Sequence, residues 1–516
     1  MQHRPFPFDW QVMYALNIGV ILLVVAGFLP REILLVLGTA ILYFLGRATI
    51  TDGFFFCIAS MPFFVAMPIT PDFDSLALWR LAVLILFVKW LWINQKQIRQ
   101  HAVKSSRNIA ITTAVALITT ALIGISVSSD PIAGLKSFIY ILNGALIFPV
   151  AYSILSDRQH VRLFMYSVLI GGIMALIIGY SQLILAYLTT DGGLWSYWAH
   201  RWSYIFYGDD LSRIVLNANT WFSYYPDQPP TLRMFSTFTD AHAFGLYALF
   251  AMVPLVWHVI RRSDKAPVLS DDDDHIGNIG WTWTLIAFFL FSVILSGTRG
   301  LWLGIAGPIL FFAFLFFFNF LKKNSHAITL AKVGLVFIIL IPISSLFLAI
   351  PQFQFRSEFD SFKTFKRFST VTDIDELSNK SRIAIWQAAI QSIGKHPMLG
   401  VGLGNFPVVL GQNIKDAKAG SSAHNLYLNI ATEMGLPALI LVGFLLLMLA
   451  RIAIRMIHLN SRYTTSLTLA VALSLVWAFT YSIFDIALLD ARVFIVVLSM
   501  IALLCAQRRR ESPVKT

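Results

Sequence analysis

Cysteine is nearly missing from this chain of 516 residues: Cys57 and Cys505 are the only two, and both fall in apolar runs. That placement argues against a structural disulfide and leaves thiol chemistry without an aqueous route for a substrate, so both are expected to pack. Charge is scarce too, at 13% of residues against 57% hydrophobic, with a mean hydropathy of +0.71. Soluble domains carry about 25% charged residues, so an ordinary soluble protein is excluded. The short alternating segments of a membrane barrel are also missing. Leu436 to Ala450 and Phe311 to Phe320 are continuously apolar instead. Backbone inside a bilayer must satisfy its own hydrogen bonds, so these runs predict helices.

A hydrocarbon core about 30 Å thick takes roughly 20 apolar residues per helix. Candidates recur near 12–29, 33–47, 53–68, 76–93, 109–128, 137–155, 163–188, 241–260, 280–297, 301–321, 329–350, 435–456, 464–484 and 490–507. The predicted architecture is all-α, one polytopic bundle over residues 1–516 with about 14 spans, or 12 if the shorter runs merge. The net charge of +12 is spread over loops rather than gathered in one patch, which argues against nucleic acid. One set of connectors carries Lys96, Arg99, Lys104 and Arg107, then Arg261, Arg262 and Lys265, then Lys322 and Lys323, then Arg451, Arg455 and Arg462, and lastly Arg508, Arg509, Arg510 and Lys515. That set is expected to be cytoplasmic, with both termini. The alternate short connectors carry only Arg31, Lys136, Arg299 and Arg492.

The first apolar run reaches Pro30-Arg31-Glu32 without a small-residue cleavage pattern, so the first helix is expected to be retained. Two long loops fall on the outer side, an aromatic-rich one at 189–240 and a larger one at 351–434. The loop at 261–279 faces the cytoplasm, and its Asp271 to Asp274 run reads as a solvated linker.

Of the 11 histidines, only His200, His242, His396 and His424 lie on or near the outer loops. His396 precedes Pro397, which favours an extended backbone, and His200 sits in the aromatic stretch, where interfacial anchoring is the plain account. His424 stands at a loop-to-helix junction. Helical spacing gives it one face with Tyr427, Leu428, Ala431 and Gly435, with Ser421 or Ser422 as cap. Taken alone, the pattern fits a hydrogen-bonded loop residue as well as a base.

Four segments change the balance. His424-Asn425, nine residues, then Gly435 resembles the His-[Asn/Ser/Gln]-x9-Gly-x-x-[Gly/Thr/Tyr] signature of bacterial O-antigen ligases, with Ala438 departing at the last position. Arg299 to Leu303 is similar to that family's Arg-x3-Leu segment, and Ser381-Arg382 to Trp386 to its second arginine. Pro397 through Gly400, Gly402, Gly404, Asn405 and Phe406 resembles the glycine run that precedes the histidine. With Arg233 to Phe238, the likeness covers roughly 230–450, and it is to the O-antigen ligase and O-antigen polymerase superfamily.

The resemblance implies a GT-C-like helical membrane glycosyltransferase of lipopolysaccharide biosynthesis, working outside the cell inner membrane on undecaprenyl-diphosphate-linked glycans. It implies an inverting reaction without metal or cofactor. A lipid A core acceptor, hence a ligase, is the first expectation; the alternatives are an O-antigen or exopolysaccharide polymerase elongating a growing polysaccharide, and a protein O-oligosaccharyltransferase.

The chemistry needs an activated acceptor hydroxyl and a stabilised diphosphate leaving group. His424, with an ordinary pKa near 6.5, suits the first task. Arg299, Arg382 and Arg233 suit the second, because guanidinium is permanently charged and grips phosphate through paired donors. The plainer alternatives are an interfacial anchor for Arg299 and an ion pair of Arg382 with Asp373, Asp375 or Glu376.

Asp72-Phe73-Asp74 and Asp373-Ile374-Asp375-Glu376 keep a divalent-metal alternative open. Gly400, Gly402 and Gly404 have no strand before them, so they read as flexibility in a tight turn rather than a phosphate loop. Trp195, Tyr197, Trp198, Trp202, Tyr204, Phe206 and Tyr207 are expected at the headgroup layer, with sugar stacking the alternative. Arg80 and Lys89 are expected to snorkel along their helix. A lipid or polysaccharide transporter is the rival class; its signs, internal repeats and midplane charges, are not evident.

Overall fold

The structure, a computed structural model, describes residues 9–70, 73–105, 109–189, 197–218, 221–225, 228–263, 278–318, 320, 324–348, 377–411, 422–459 and 461–511. The acidic run at 271–274, the acidic residues at 373–376, and Asp72, Trp195 and Ser421 lie outside them.

Among the described residues the only sheets are two antiparallel pairs, Ala66–Met67 with Leu76–Ala77 and Phe222–Tyr225 with Gln228–Leu232. Everything else regular is helical, and the chain is an all-α polytopic membrane protein. Nine helices among the described residues are long and apolar enough to cross a membrane, and five shorter apolar helices accompany them. Each of the fourteen apolar runs has its counterpart in this set.

Ala241–Arg262 is the hub, with every residue of its apolar window buried inside the protein, against 17% for Leu426–His458 at the periphery. Around it pack Arg158–Leu188, Tyr463–Tyr481 and Ala491–Arg510. Small residues set how near these helices come: a Cβ on Gly172 would fall 2.4 Å from the Ala251 Cβ. The hub begins at Asp240, which accepts the Ala243 N–H at 2.7 Å and so fixes where His242 enters the bundle.

One expectation is corrected in part here. Of the aromatic stretch, Trp198, Trp202, Phe206 and Tyr207 are buried within the protein rather than set at a headgroup layer or left open to sugars, while Tyr204 is exposed. Trp198 stacks on Trp202 at 4.4 Å, and Trp202 on Phe206 at 5.3 Å, because a helical course brings every fourth ring onto one face. Lys89 reaches the end of a neighbouring helix. Its Nζ donates to the carbonyls of Leu45, Gly46 and Ala48 at 2.9, 3.1 and 2.5 Å, closing the C-terminus of Ile33–Arg47, whose last carbonyls have no partner of their own. Arg80 lies over the rings of Trp79 and Tyr140.

Candidate functional site

His424 stands at the predicted junction, but just ahead of the helix rather than on its face. Asn425 is the cap of Leu426–His458, accepting the N–H groups of Tyr427 and Leu428, each at 3.0 Å. Ser422 is not the cap; its Oγ accepts the His424 N–H at 3.2 Å. His424 takes a φ of 45°, a left-handed conformation that a non-glycine residue holds only where its surroundings impose it. Those surroundings are specific: Ala423 donates to Asn429 Oδ1 at 3.1 Å, its carbonyl accepts Trp386 Nε1 at 2.9 Å, and the Leu426 N–H donates to the Ser482 carbonyl at 2.8 Å.

The turn aims the imidazole at a carboxylate. His424 Nδ1 is buried and lies 3.6 Å from Asp485 Oδ2, while 40% of the side chain stays exposed, so the Nε2 edge is the outward one. Asp485 follows the helix Arg462–Tyr481, and its Oδ1 accepts the Ala487 N–H at 2.9 Å. Burial works against ionisation of this carboxyl, and His424 and Arg382 beside it favour ionisation.

Asp485 Oδ2 is shared. His242 Nδ1 also lies 3.6 Å from it and 3.0 Å from the Tyr481 hydroxyl, and His242 Nε2 lies 3.4 Å from Arg233 Nη1. Arg233 donates to the Ser296 and Gly297 carbonyls at 3.0 and 2.9 Å. The same turn runs into the short helix Arg299–Leu303, where a Cβ on Gly300 would fall 2.7 Å from the Phe484 Cβ. Half-buried Arg299 therefore sits on backbone that touches Arg233 on one side and the residue before Asp485 on the other. Arg382 lies one turn before Trp386 on the helix Leu377–Lys395, half-buried, and its charge reaches both Asp485 and His242.

The glycine run does a different job. Gly435 breaks the His424 helix with a φ of 83°, and a Cβ there would meet the Met398 carbonyl oxygen at 2.2 Å. Pro437 has no N–H for the Glu433 carbonyl, and the Leu436 N–H turns away to the Pro397 carbonyl at 2.8 Å, so the carbonyls of Thr432 and Glu433 lose their helical donors. The N–H groups of Val401 and Gly402 replace them at 2.9 and 3.0 Å. Gly400, with a φ of 66°, lies against the same Thr432 and Glu433 backbone, and Asn405 exchanges hydrogen bonds with Asp130 at 2.9 and 3.2 Å. Gly400, Gly402 and Gly404, each at positive φ in a tight turn, thus splice that turn onto the broken helix.

Of the metal alternative, Asp74 is committed elsewhere. It binds Arg31 at 2.6 Å and accepts the Asp209 N–H at 3.1 and 3.0 Å.

Residues 284–443 match the family described as O-antigen ligase, and this span contains Arg299, Arg382, the glycine splice and His424. Over those residues the chain is similar to the O-antigen ligase and polymerase superfamily. No curated protein matches the sequence.

The superfamily match stops short of Arg233 and His242 on one side and of Tyr481 and Asp485 on the other. Sequence reasoning missed Asp485 and Tyr481 and left His242 among four histidines without a role. A signal was present: Asp485 and Asp490 are the only acidic residues between Glu433 and Glu511, at the end of an apolar helix where a carboxylate is costly unless used.

Proposed function

We propose that this protein is an inverting glycosyltransferase at the periplasmic face of the inner membrane, transferring an undecaprenyl-diphosphate-linked glycan to an acceptor sugar hydroxyl, with the lipid A core as acceptor. The observation that carries the proposal is the buried Asp485 carboxylate, 3.6 Å from the inner nitrogen of an imidazole whose other edge is open. That arrangement orients a general base and stabilises its cationic form.

In the reaction, the acceptor hydroxyl oxygen attacks the anomeric carbon from the side opposite the diphosphate. The bond from that carbon to the phosphate oxygen breaks, and its electron pair leaves with the diphosphate. The hydroxyl proton passes to His424 Nε2, and Asp485 holds the resulting imidazolium. Arg233, Arg299 and Arg382 take up the charge of the leaving diphosphate, helped by the N-termini of the helices that begin at Ala241 and Leu426.

An apolar cavity of about 400 Å³ supports the lipid side of the proposal. It runs from Tyr427, Thr480 and Ile483, beside the site, to Leu446, Ala453 and Leu504 within the bundle, a lining suited to a polyprenyl chain.

Deletion followed by gel analysis of the host's glycans tests the acceptor. Free lipid A core with accumulated lipid-linked polymer is expected; a single-repeat product would make the chain a polymerase, and intact lipopolysaccharide beside unglycosylated protein would make it a protein O-oligosaccharyltransferase. Transport that survives His424→Ala, with no glycan transfer by the wild type, would overturn the enzyme class itself.

A further inference from the structure

We infer that His242 is a positioning residue locked as the neutral imidazole with its proton on Nδ1, joining the Arg233 guanidinium to the Asp485 carboxylate that His424 uses. The inference deepens the proposed function and rests on it for the roles of Arg233 and His424.

The geometry leaves one protonation pattern. Guanidinium has donors and no acceptor, so the Arg233 Nη1 contact at 3.4 Å requires a lone pair on His242 Nε2. The single imidazole proton is then on Nδ1, where the Tyr481 hydroxyl at 3.0 Å receives it and Asp485 Oδ2 lies 3.6 Å away. A second proton on Nε2 would point at a permanent cation. Asp485 therefore has two imidazole neighbours, of which only His424 is free to become charged. Its negative charge is reserved for the base, while Arg233 is oriented by His242 and by the Ser296 and Gly297 carbonyls. The charge of Arg382 also reaches His242, Asp485 and Tyr481, and Asp240, itself beside Asp490, faces Tyr481.

Nitrogen NMR of the full-length, histidine-labelled protein in nanodiscs tests the tautomer, with His242 assigned by the signals lost in His242→Gln. The expected spectrum has Nδ1 protonated and Nε2 bare across the range where free histidine titrates, and Arg233→Met should let His242 take a second proton in that range. A proton on Nε2, or a His242 that charges in the wild type as free histidine does, would overturn the inference.

Two variants separate the joined halves. Asn keeps a donor near the place of Nδ1, so His242→Asn should raise the KM for the lipid-linked donor about 10-fold and lower kcat less. Gln keeps an acceptor toward Arg233, so His242→Gln should lower kcat and move the acid limb of its pH profile upward, because Asp485 loses the N–H dipole beside it and holds the His424 imidazolium more tightly. Equal changes in both parameters for both variants would sink the inference. The NMR arm needs no turnover, so a wild type without glycan transfer would fault the proposed function and leave the tautomer decided by its own spectrum.

Discussion

Arg31, Arg299 and Arg492 are alike in the sequence, each a lone cation in a short connector between apolar runs, yet they belong to two differently built regions. Arg31 is buried in a 2.6 Å ion pair with Asp74, under the Tyr204 ring at 4.0 Å. Arg492 is buried too, donating to the Thr237 and Phe64 carbonyls between the rings of Tyr207 and Phe238. In that region cations meet acceptors supplied by the protein. Around Asp485, one ionised carboxylate faces two imidazoles and the field of Arg382, with Arg233 and the Arg299 turn alongside. The first region pairs its cations with acceptors buried in the fold, and the second is the one to which the proposed function assigns the lipid diphosphate. Only three-dimensional partners separate them, since residue type and connector position are the same.

The sharpest way to break this contrast is to remove one group from each region. His424→Ala should cut glycan transfer by about 10²–10⁴-fold, the usual share of a general base, with the purified protein still folded. A wild-type rate would end the assignment. Arg31→Met should do the reverse, leaving Asp74 buried without its cation at a cost of about 3–5 kcal/mol. The loss should be read as a lower thermal midpoint and yield in detergent, while the protein that does fold keeps its turnover. If Arg31→Met lost turnover without losing stability, the two regions would be one.

How far the contrast was visible beforehand depends on the range of the interaction. The spans were legible because each is a long apolar run, and His424, Arg299 and Arg382 stood out because each sits in a local motif. Asp485 was not, since what marks it is Oδ2 lying 3.6 Å from two imidazoles far away in the chain. The cap at Asn425 was missed because serines stood just upstream, and only the backbone shows which side chain reaches the N–H groups of Tyr427 and Leu428. The aromatic ladder was misplaced for a related reason: a Trp-rich stretch has the same composition whether its rings face lipid or one another.

A smaller effect sharpens the diphosphate side. Arg299→Lys and Arg382→Lys keep the charge and lose the two-pronged grip, so each should lower transfer by roughly 10-fold or more, with raised donor KM and normal folding. Unchanged kinetics in both would return these arginines to the structural class of Arg31. Chelation with EDTA should leave the rate unchanged, and a loss restored by Mg²⁺ or Mn²⁺ would reopen the metal alternative.

The smallest expected effect concerns Asp240, which caps the hub helix beside His242. Burial first, then the neighbouring Asp490, pushes its carboxyl up to about 7 from an ordinary 3.8. A folded-state value above the unfolded one means that the group's contribution to stability is complete below its ordinary value and is lost as pH rises through about 7. Asn caps a helix as well as Asp and does not titrate. Asp240→Asn should therefore flatten the fall of thermal stability across that window, with little change at the acid end. An identical slope in the two proteins would show that Asp240 is already ionised, and that the Asp485 region carries one more negative charge than the contrast with Arg31 and Arg492 allows.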